Sequence, residues 1–170
     1  QAYASVFGSA PGMPPEQLEH SDLIVVWGNN VTVSNLHLMR TINAAKGANN
    51  AKLVVIDPKR IKVAEQANLH IPVHPGTDVV LALGLAAELE RRGAHDLSFI
   101  KEWVAGYDAY MAEARKVTRD EVLATCRITP EMFDTLADWY VAAENVGVSV
   151  GNGLERGHSG GSGIRAAMSL

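Results

Sequence analysis

Two aspartates in the sequence stand where a bound nucleotide needs hydrogen-bond acceptors. Asp57 closes the apolar, β-branched run 52–56, and Asp78 follows a Pro-Gly turn at the start of a long apolar segment. A carboxylate only accepts hydrogen bonds, so Asp57 suits a ribose hydroxyl, and Asp78 suits the N1–H and 2-amino donors of guanine. Each has a simpler interpretation: an Asx-type cap before Pro58 for Asp57, and a helix N-cap for Asp78. Spacing alone favours the cap for Asp78.

Two glycine-bearing turns are candidates for contact with a phosphate or a flat ligand. Gly28-Asn29-Asn30 follows the apolar run 23–27, and its backbone N–H groups are suited to phosphate. The segment 151–163 has six glycines among 13 residues, which allows close backbone approach to a ligand. Neither turn has the G-x-G-x-x-G pattern of ordinary NAD or FAD domains. A ligand-free strand-to-helix turn and a mobile terminal loop remain the alternatives.

Composition excludes several classes of function. The chain has 170 residues, is 47% apolar and carries a net charge of −4, as a globular domain does. Its 15 Lys and Arg are dispersed and outnumbered by 19 Asp and Glu, which argues against a nucleic-acid partner. The single cysteine, Cys126, excludes a disulfide framework and a cysteine-based metal site, and is expected at a helix end as a small apolar residue. The apolar stretch 79–89 is too short to span a bilayer, so no membrane contact is expected.

The predicted elements form an alternating order that would position these residues. Four strands are predicted, at 23–27, 52–56, 69–73 and 146–150. Helices are predicted at 35–46 (capped by Ser34 and ended by Gly47), at 61–67, at 78–92, throughout 96–143 and after residue 163. Residues 1–20 are expected to be a loop-like leader to one domain, 21–170. The order predicts an α/β fold, with a Rossmann-like parallel sheet in a three-layer α/β/α sandwich and an added helical segment.

Four segments together resemble the molybdopterin oxidoreductase family, which includes dimethyl sulfoxide reductase, formate dehydrogenase and periplasmic nitrate reductase. The segments are 21–30, 52–60, 75–78 and 151–155. Each motif is weak alone, but their order and spacing are specific, and the resemblance covers the chain from about residue 18. It implies a Rossmann-like domain that holds one guanine dinucleotide arm of a bis-molybdopterin guanine dinucleotide cofactor, with molybdenum or tungsten as its metal.

The resemblance also implies a role for each candidate residue. Gly28 and Asn30 would lie at the pyrophosphate, Asp57 at the ribose and Asp78 at the guanine edge, which reverses the preference for a cap at Asp78. The loop 151–153 would approach the pterin, with His158 near the metal. The complete set of implied cofactor-binding residues is Gly28, Asn29, Asn30, Asp57, Pro58, Lys59, Gly76, Asp78, Gly151 and Gly153. The chain departs from the family pattern at two places. Asn30 is followed by Val31, where the family more commonly has proline, and the run 156–158 is shifted relative to its usual position.

For the parent protein, the resemblance implies an oxidoreductase in which the metal performs the redox step. The metal ligand, an iron–sulfur domain and the domain holding the second pterin arm would lie outside this chain. Its partners would be the remaining domains of the parent and electron-transfer subunits, in the cytoplasm or periplasm of a prokaryote. The reaction of the parent could be formate oxidation or the reduction of a small oxyanion. The 170-residue chain is expected to be inactive alone, with no catalytic residue or metal ligand of its own.

Two other functions remain open from the residues alone. The first is the FAD- or ADP-binding central domain of a thiamine-diphosphate enzyme, which would prefer adenine nucleotides. The second is a non-catalytic interaction module in which Asp57 and Asp78 are only caps, and which would bind no nucleotide.

Overall fold

A parallel β-sheet forms the centre of the protein. The computed structural model describes residues 2–9, 12–157 and 159–170, and within them the sheet has four strands in the order β3-β2-β1-β4. The strands are β1 Leu23–Trp27, β2 Lys52–Ile56, β3 Leu69–Ile71 and β4 Val146–Val150. Three strands have the predicted bounds, whereas β3 ends at Ile71 because Pro72 has no N–H to donate to a neighbouring strand.

Helices connect the strands and cover both faces of the sheet. The helices are α1 Ala2–Phe7, α2 Val31–Ser34, α3 Leu36–Asn49, α4 Lys62–Glu65, α5 Asp78–Arg91, α6 Leu97–Trp103, α7 Tyr107–Ala114, α8 Arg119–Cys126, α9 Pro130–Ala142, α10 Asn152–Glu155 and α11 Gly160–Ala167. A 3-10 helix also spans Pro15–His20. Among the described residues, no helix combines the length and the apolar character needed to cross a membrane.

Strand β1 separates two hydrophobic cores. Leu23, Val25 and Trp27 point into a core with residues of α5, α8, α9 and α11, while Ile24 and Val26 point into a second core with α3 and α4. All five residues of the strand are at most 1% exposed. A strand covered on both faces explains the continuous apolar run, and the two cores confirm the predicted three-layer arrangement.

The described residues of the leading segment 1–20 are mostly helical, whereas a loop was predicted. It contains α1 and the 3-10 helix, which begins at Pro15, where a missing N–H costs nothing. Leu18, within the 3-10 helix, is 4% exposed and packs with the core beside α3. Proline in this segment therefore starts a helix instead of preventing one.

The predicted ends of α3 are also wrong. The cap is Asn35, whose side-chain oxygen accepts from the Leu38 N–H at 3.3 Å, whereas Ser34 is the last residue of α2. The helix continues through Gly47, which it tolerates at a cost of about 1 kcal/mol, and ends at Asn49. Asn50 is its C-cap, in the left-handed conformation with φ of 53°.

The segment 151–163 is largely helical instead of a continuous loop. It contains α10 and the first half of α11, which starts at Gly160. A Cβ at Gly160 would lie 2.5 Å from the Leu154 carbonyl oxygen, so this glycine allows α11 to pack against α10. His158, expected near the metal, lies outside the described residues.

The loops after β1 and β4 touch through their backbones. Gly151 N–H donates to the Trp27 carbonyl at 2.9 Å, and Gly153 N–H donates to the Gly28 carbonyl at 3.1 Å. A Cβ at Gly151 would lie only 2.5 Å from the Asn29 Cα. Glycine is therefore required for this approach, and at Gly28 it also provides a φ of +57°.

At the opposite end of the sheet, Asp22 connects the start of β1 with the start of β4. Its carboxylate accepts from the backbone N–H groups of Glu144 and Asn145, each at 2.9 Å. Partial burial favours the neutral form, but these donors outweigh it and hold the pKa of Asp22 below its ordinary value of 3.8. Both ends of the β1–β4 pair are thus fixed by specific hydrogen bonds.

We expect Gly151→Ala to destabilise the fold by about 1–3 kcal/mol, because the new methyl group overlaps the Gly28–Asn29 backbone. Urea denaturation measures this change in the free energy of unfolding. Gly47→Ala is the control, since its Cβ would meet no atom within 4 Å and helix propensity favours alanine by about 1 kcal/mol. Equal stability of the Gly151 variant and the wild type would contradict the close approach.

We expect Asp22→Asn to lower the free energy of unfolding at neutral pH by about 1 kcal/mol, because the amide replaces one of the two acceptor oxygens with a donor. The lowered pKa of Asp22 means that its contribution is present above 3.8 and is lost as the pH falls through the folded-state value. The difference between wild type and variant should therefore shrink in acid.

Urea denaturation across this pH range tests the expectation for Asp22, with Glu102→Gln on the exposed surface of α6 as the control for loss of one negative charge. If the difference in the free energy of unfolding between the wild type and Asp22→Asn does not change with pH, the Asp22 carboxylate is not the source of that difference.

Candidate functional site

The strand order creates a crevice at the carboxyl edge of the sheet. From β1 the chain moves outward through β2 and β3, then returns to place β4 on the other side of β1. The loops after β1 and β4 therefore diverge at a topological switch point, where open α/β sheets bind ligands. The residues at this point are 28–30 and 151–153.

The turn after β1 presents backbone at this edge. Gly28 N–H is satisfied by the Ile56 carbonyl at 2.9 Å, but no described residue accepts a hydrogen bond from the N–H of Asn29 or Asn30. The Asn29 side-chain amide donates to Ser149 Oγ at 2.9 Å, which joins this turn to β4. The Asn30 side chain accepts from Thr32 Oγ1 at 2.8 Å and does not cap α2. The two N–H groups are thus available to a ligand oxygen.

Asp57 lies at the end of the adjacent strand, half-buried. One carboxylate oxygen, Oδ1, accepts from the Lys59 N–H at 2.8 Å, which is the Asx-type turn considered above. The backbone is fixed as well, because His70 Nε2 lies 2.9 Å from the Asp57 carbonyl oxygen. Pro58 and Lys59 are exposed beside it. Among the described residues no group bonds to Oδ2, so the turn and a ligand contact can coexist.

Asp78 is the first residue of α5 and does not cap it. Thr77 occupies the N-cap position, and its hydroxyl donates to the His74 carbonyl at 2.7 Å instead of bonding to the helix. The Asp78 carboxylate accepts from the Trp27 indole, with Nε1 2.8 Å from Oδ1. The cap that spacing favoured is therefore wrong, and the carboxylate is directed to the end of β1.

A narrow crevice lies beside Asp78, between the turn at Gly76 and the segment containing α10 and α11. Its volume of about 10 Å³ is sufficient for a single water molecule. Its lining includes Gly76, Asp78, Leu154, Gly157, Gly160 and Gly163. A purine cannot enter this crevice as it stands, so a base at Asp78 would lie across its rim.

The larger cleft of the molecule lies elsewhere. It has a volume of about 560 Å³ and is lined by the second half of α5 with α8 and α9. Each of its charged side chains has a partner of opposite sign: Arg91 and Arg92 bind Glu88 at 2.6 and 2.7 Å, Arg92 also binds Asp138, and Arg119 binds Asp134 at 2.7 Å. Hydrogen bonds from Arg91 and then Arg92 lower the pKa of Glu88 to about 2. These pairs stabilise helix packing and offer no unpaired charge to a ligand.

Cys126 has the structural role expected from the sequence. It is the last residue of α8, is fully buried, and its Sγ contacts the Thr77 carbonyl oxygen at 3.6 Å. Burial raises the pKa of its thiol, which disfavours the reactive thiolate. Within the described ranges, no group of three or more His, Cys, Asp or Glu side chains could hold a metal ion.

The structure brings most of the predicted site residues to one edge, although some contacts there were not predicted. Gly28, Gly151 and Gly153 meet directly, and Asp57 follows the neighbouring strand. Trp27 and Ser149 were missed, yet they fix Asp78 and Asn29. Their positions at or next to the last residue of β1 and β4 were the available signal, because strand ends in such sheets face the crevice.

Comparison with known proteins identifies relatives along the whole chain. A family model described as molybdopterin oxidoreductase matches residues 3–170. The chain is 29% identical over 170 residues to the probable oxidoreductase YoaE of Bacillus subtilis, covering all of this chain and 25% of that protein. It is 37% identical over 103 residues to a nitrate reductase of Shewanella frigidimarina, which covers 61% of this chain and 11% of that one. Formate dehydrogenases are also among its relatives.

A solved structure supports the fold. Acetylene hydratase from Pelobacter acetylenicus superposes with a TM-score of 0.75 at 23% identity, covering 90% of this chain and 22% of that one. The chain thus spans about a quarter or less of the length of these relatives. Since the family model covers nearly all of the chain, the protein belongs to the molybdopterin oxidoreductase family.

Proposed function

We propose that this chain binds one guanine dinucleotide arm of a bis-molybdopterin guanine dinucleotide cofactor within a larger oxidoreductase. The observation that carries the proposal is the meeting of the loops after β1 and β4 at the switch point. Asp57 follows the neighbouring strand β2, and Asp78 bonds to Trp27, the residue before Gly28. Bound there, the cofactor would supply a molybdenum or tungsten centre for two-electron chemistry, and the protein would hold and orient it.

The pyrophosphate would lie over the turn 28–30. The absence of Cβ atoms at Gly28, Gly151 and Gly153 lets the two loops pack backbone against backbone. Phosphate oxygens would approach the turn where these loops meet. The N–H groups of Asn29 and Asn30, which no described residue uses, would donate to those oxygens. Helix α2 has only four residues and contributes little dipole, so individual N–H donors matter most here.

The nucleoside would be held by the two aspartates. Asp57 Oδ2 would accept from a ribose hydroxyl while Oδ1 keeps its bond to Lys59 N–H. Asp78 would accept from guanine N1–H and the 2-amino group, a donor pair that adenine lacks. Pro58 and Gly76 belong to the turns that carry these two aspartates, and the positive charge of the exposed Lys59 would attract a phosphate. The loop 151–153 would face the pterin.

The parent would be a formate dehydrogenase-like enzyme or a reductase of a small oxyanion or oxide. Its metal ligand, any iron–sulfur cluster and the domain for the second pterin arm would come from the rest of the parent chain, and electron-transfer subunits would be its partners. We expect the isolated chain to be inactive, because it spans only about a quarter of the length of its relatives. The parent would work in the cytoplasm or periplasm.

The two alternative functions make different demands. Family membership argues against the central domain of a thiamine-diphosphate enzyme. An interaction module would need Asp78 only as a helix cap, but its carboxylate makes no cap hydrogen bond and instead binds the Trp27 indole. The observations therefore favour guanine nucleotide binding over both.

We expect the chain to bind GDP in preference to ADP, and Asp78→Asn to weaken GDP binding by about tenfold or more, which corresponds to ~1.4 kcal/mol. The amide presents a donor where the base requires an acceptor, and an unpaired polar edge is costly. Titration followed by two-dimensional NMR, with affinities from the shifts, measures both effects.

The matched control for Asp78→Asn is Asp108→Asn, which removes the same charge from the first turn of α7. It should leave GDP affinity unchanged. Preference of the wild type for ADP, or no nucleotide binding at millimolar concentration, would contradict the proposed function.

A further inference from the structure

We propose that Trp27 is a positioning residue that orients Asp78 for the selection of guanine. This inference rests on the proposed function and adds a residue for which the sequence indicated no role. Trp27 is fully buried, and its indole Nε1 donates to Asp78 Oδ1 at 2.8 Å across 51 residues of sequence. The bond connects the central strand directly to the first residue of α5.

The indole is held rigidly. Trp27 is the last residue of β1, packs in the core between the sheet and α5, and its carbonyl oxygen accepts from Gly151 N–H at 2.9 Å. An indole donates only one hydrogen bond and accepts none, so it defines a single direction for its partner. A lysine or arginine in its place would neutralise the carboxylate and compete for both of its oxygens.

The bond leaves the carboxylate able to bind a base. Oδ1 accepts from Trp27 and retains a second lone pair, while no described residue bonds to Oδ2. The bond therefore restricts the orientations of the carboxylate before a ligand arrives. Recognition of guanine requires the carboxylate to align with two parallel N–H donors, so this restriction lowers the entropic cost of binding.

A purely structural role is the alternative, since buried tryptophan N–H groups usually find an acceptor. Under that role, loss of the bond would reduce stability and affect all nucleotides alike. Under the positioning role, loss of the bond would specifically reduce the preference for nucleotides that carry the 2-amino group over those that lack it. Inosine diphosphate, which lacks only this group relative to GDP, separates the two.

The test is Trp27→Phe in the whole chain, titrated with GDP and with inosine diphosphate. Phenylalanine keeps an aromatic ring in the core and removes the donor. We expect GDP affinity to fall roughly three- to tenfold. The affinity for inosine diphosphate should fall less, so that the preference for GDP becomes smaller. Trp139→Phe on α9 is the matched control and should leave the preference unchanged. Adding Trp27→Phe to Asp78→Asn should cause no further loss of preference.

A second measurement needs no substitution at Trp27. The chain has three tryptophans, so the Trp27 indole N–H signal is assigned by elimination with Trp103→Phe and Trp139→Phe. We expect this N–H to exchange slowly with solvent both free and with GDP bound. Rapid exchange in the GDP complex would show that Asp78 has left Trp27 and would overturn the inference.

The possible results separate the inference from the function on which it rests. If the wild type prefers GDP and Trp27→Phe retains the full preference over inosine diphosphate, the positioning role is wrong and the proposed function stands. If the wild type binds no guanine nucleotide, both are wrong. Loss of preference in Trp27→Phe but not in Trp139→Phe supports both.

Discussion

Strand β1 is the constraint on which the rest of the structure depends. It is buried on both faces, has a parallel neighbour on each side, and ends at the edge where the candidate site lies. Every site residue is located by its relation to this strand: Gly28 follows it, Asp57 ends its neighbour β2, Gly151 bonds to its last carbonyl, and Asp78 bonds to its last side chain. A shift of β1 by one residue would exchange its two cores and displace all of these groups.

Two kinds of contact complete the edge around β1. The glycines bring two loops together without side chains between them, and no described residue accepts a hydrogen bond from the N–H of Asn29 or Asn30 beside them. The indole and the carboxylate make the opposite kind of contact, a directional, part-buried bond between two side chains at the edge of the core. The backbone contact between the loops suits the binding of a pyrophosphate, a group common to all such nucleotides. The bond between the indole and the carboxylate restricts the orientation of Asp78 and therefore suits the recognition of a particular base.

The sequence predicted what depends on local pattern and missed what depends on distant partners. Strands β1, β2 and β4 were predicted with their observed bounds because each is a short, valine-rich run with clear breaks. Two features depend on packing that the spacing of residues in the sequence does not reveal. They are the capping of α3 by Asn35 instead of Ser34, and the helical turn α10 within a glycine-rich segment. For Asp78, spacing favoured a cap, and only the fold reveals that Trp27, 51 residues earlier, provides its partner.

The pairing of β1 with β4 has a consequence for how the molecule folds. The Asn29–Ser149 hydrogen bond joins residues 120 positions apart. Such distant contacts form slowly, because the chain loses the entropy of closing the loop before the contact stabilises it. Until β4 arrives, one edge of the most apolar strand has no neighbour, and exposed strand edges promote aggregation. During synthesis the turn at Gly28 would emerge long before Gly151, so the edge where they meet could form only after Gly151 has been made.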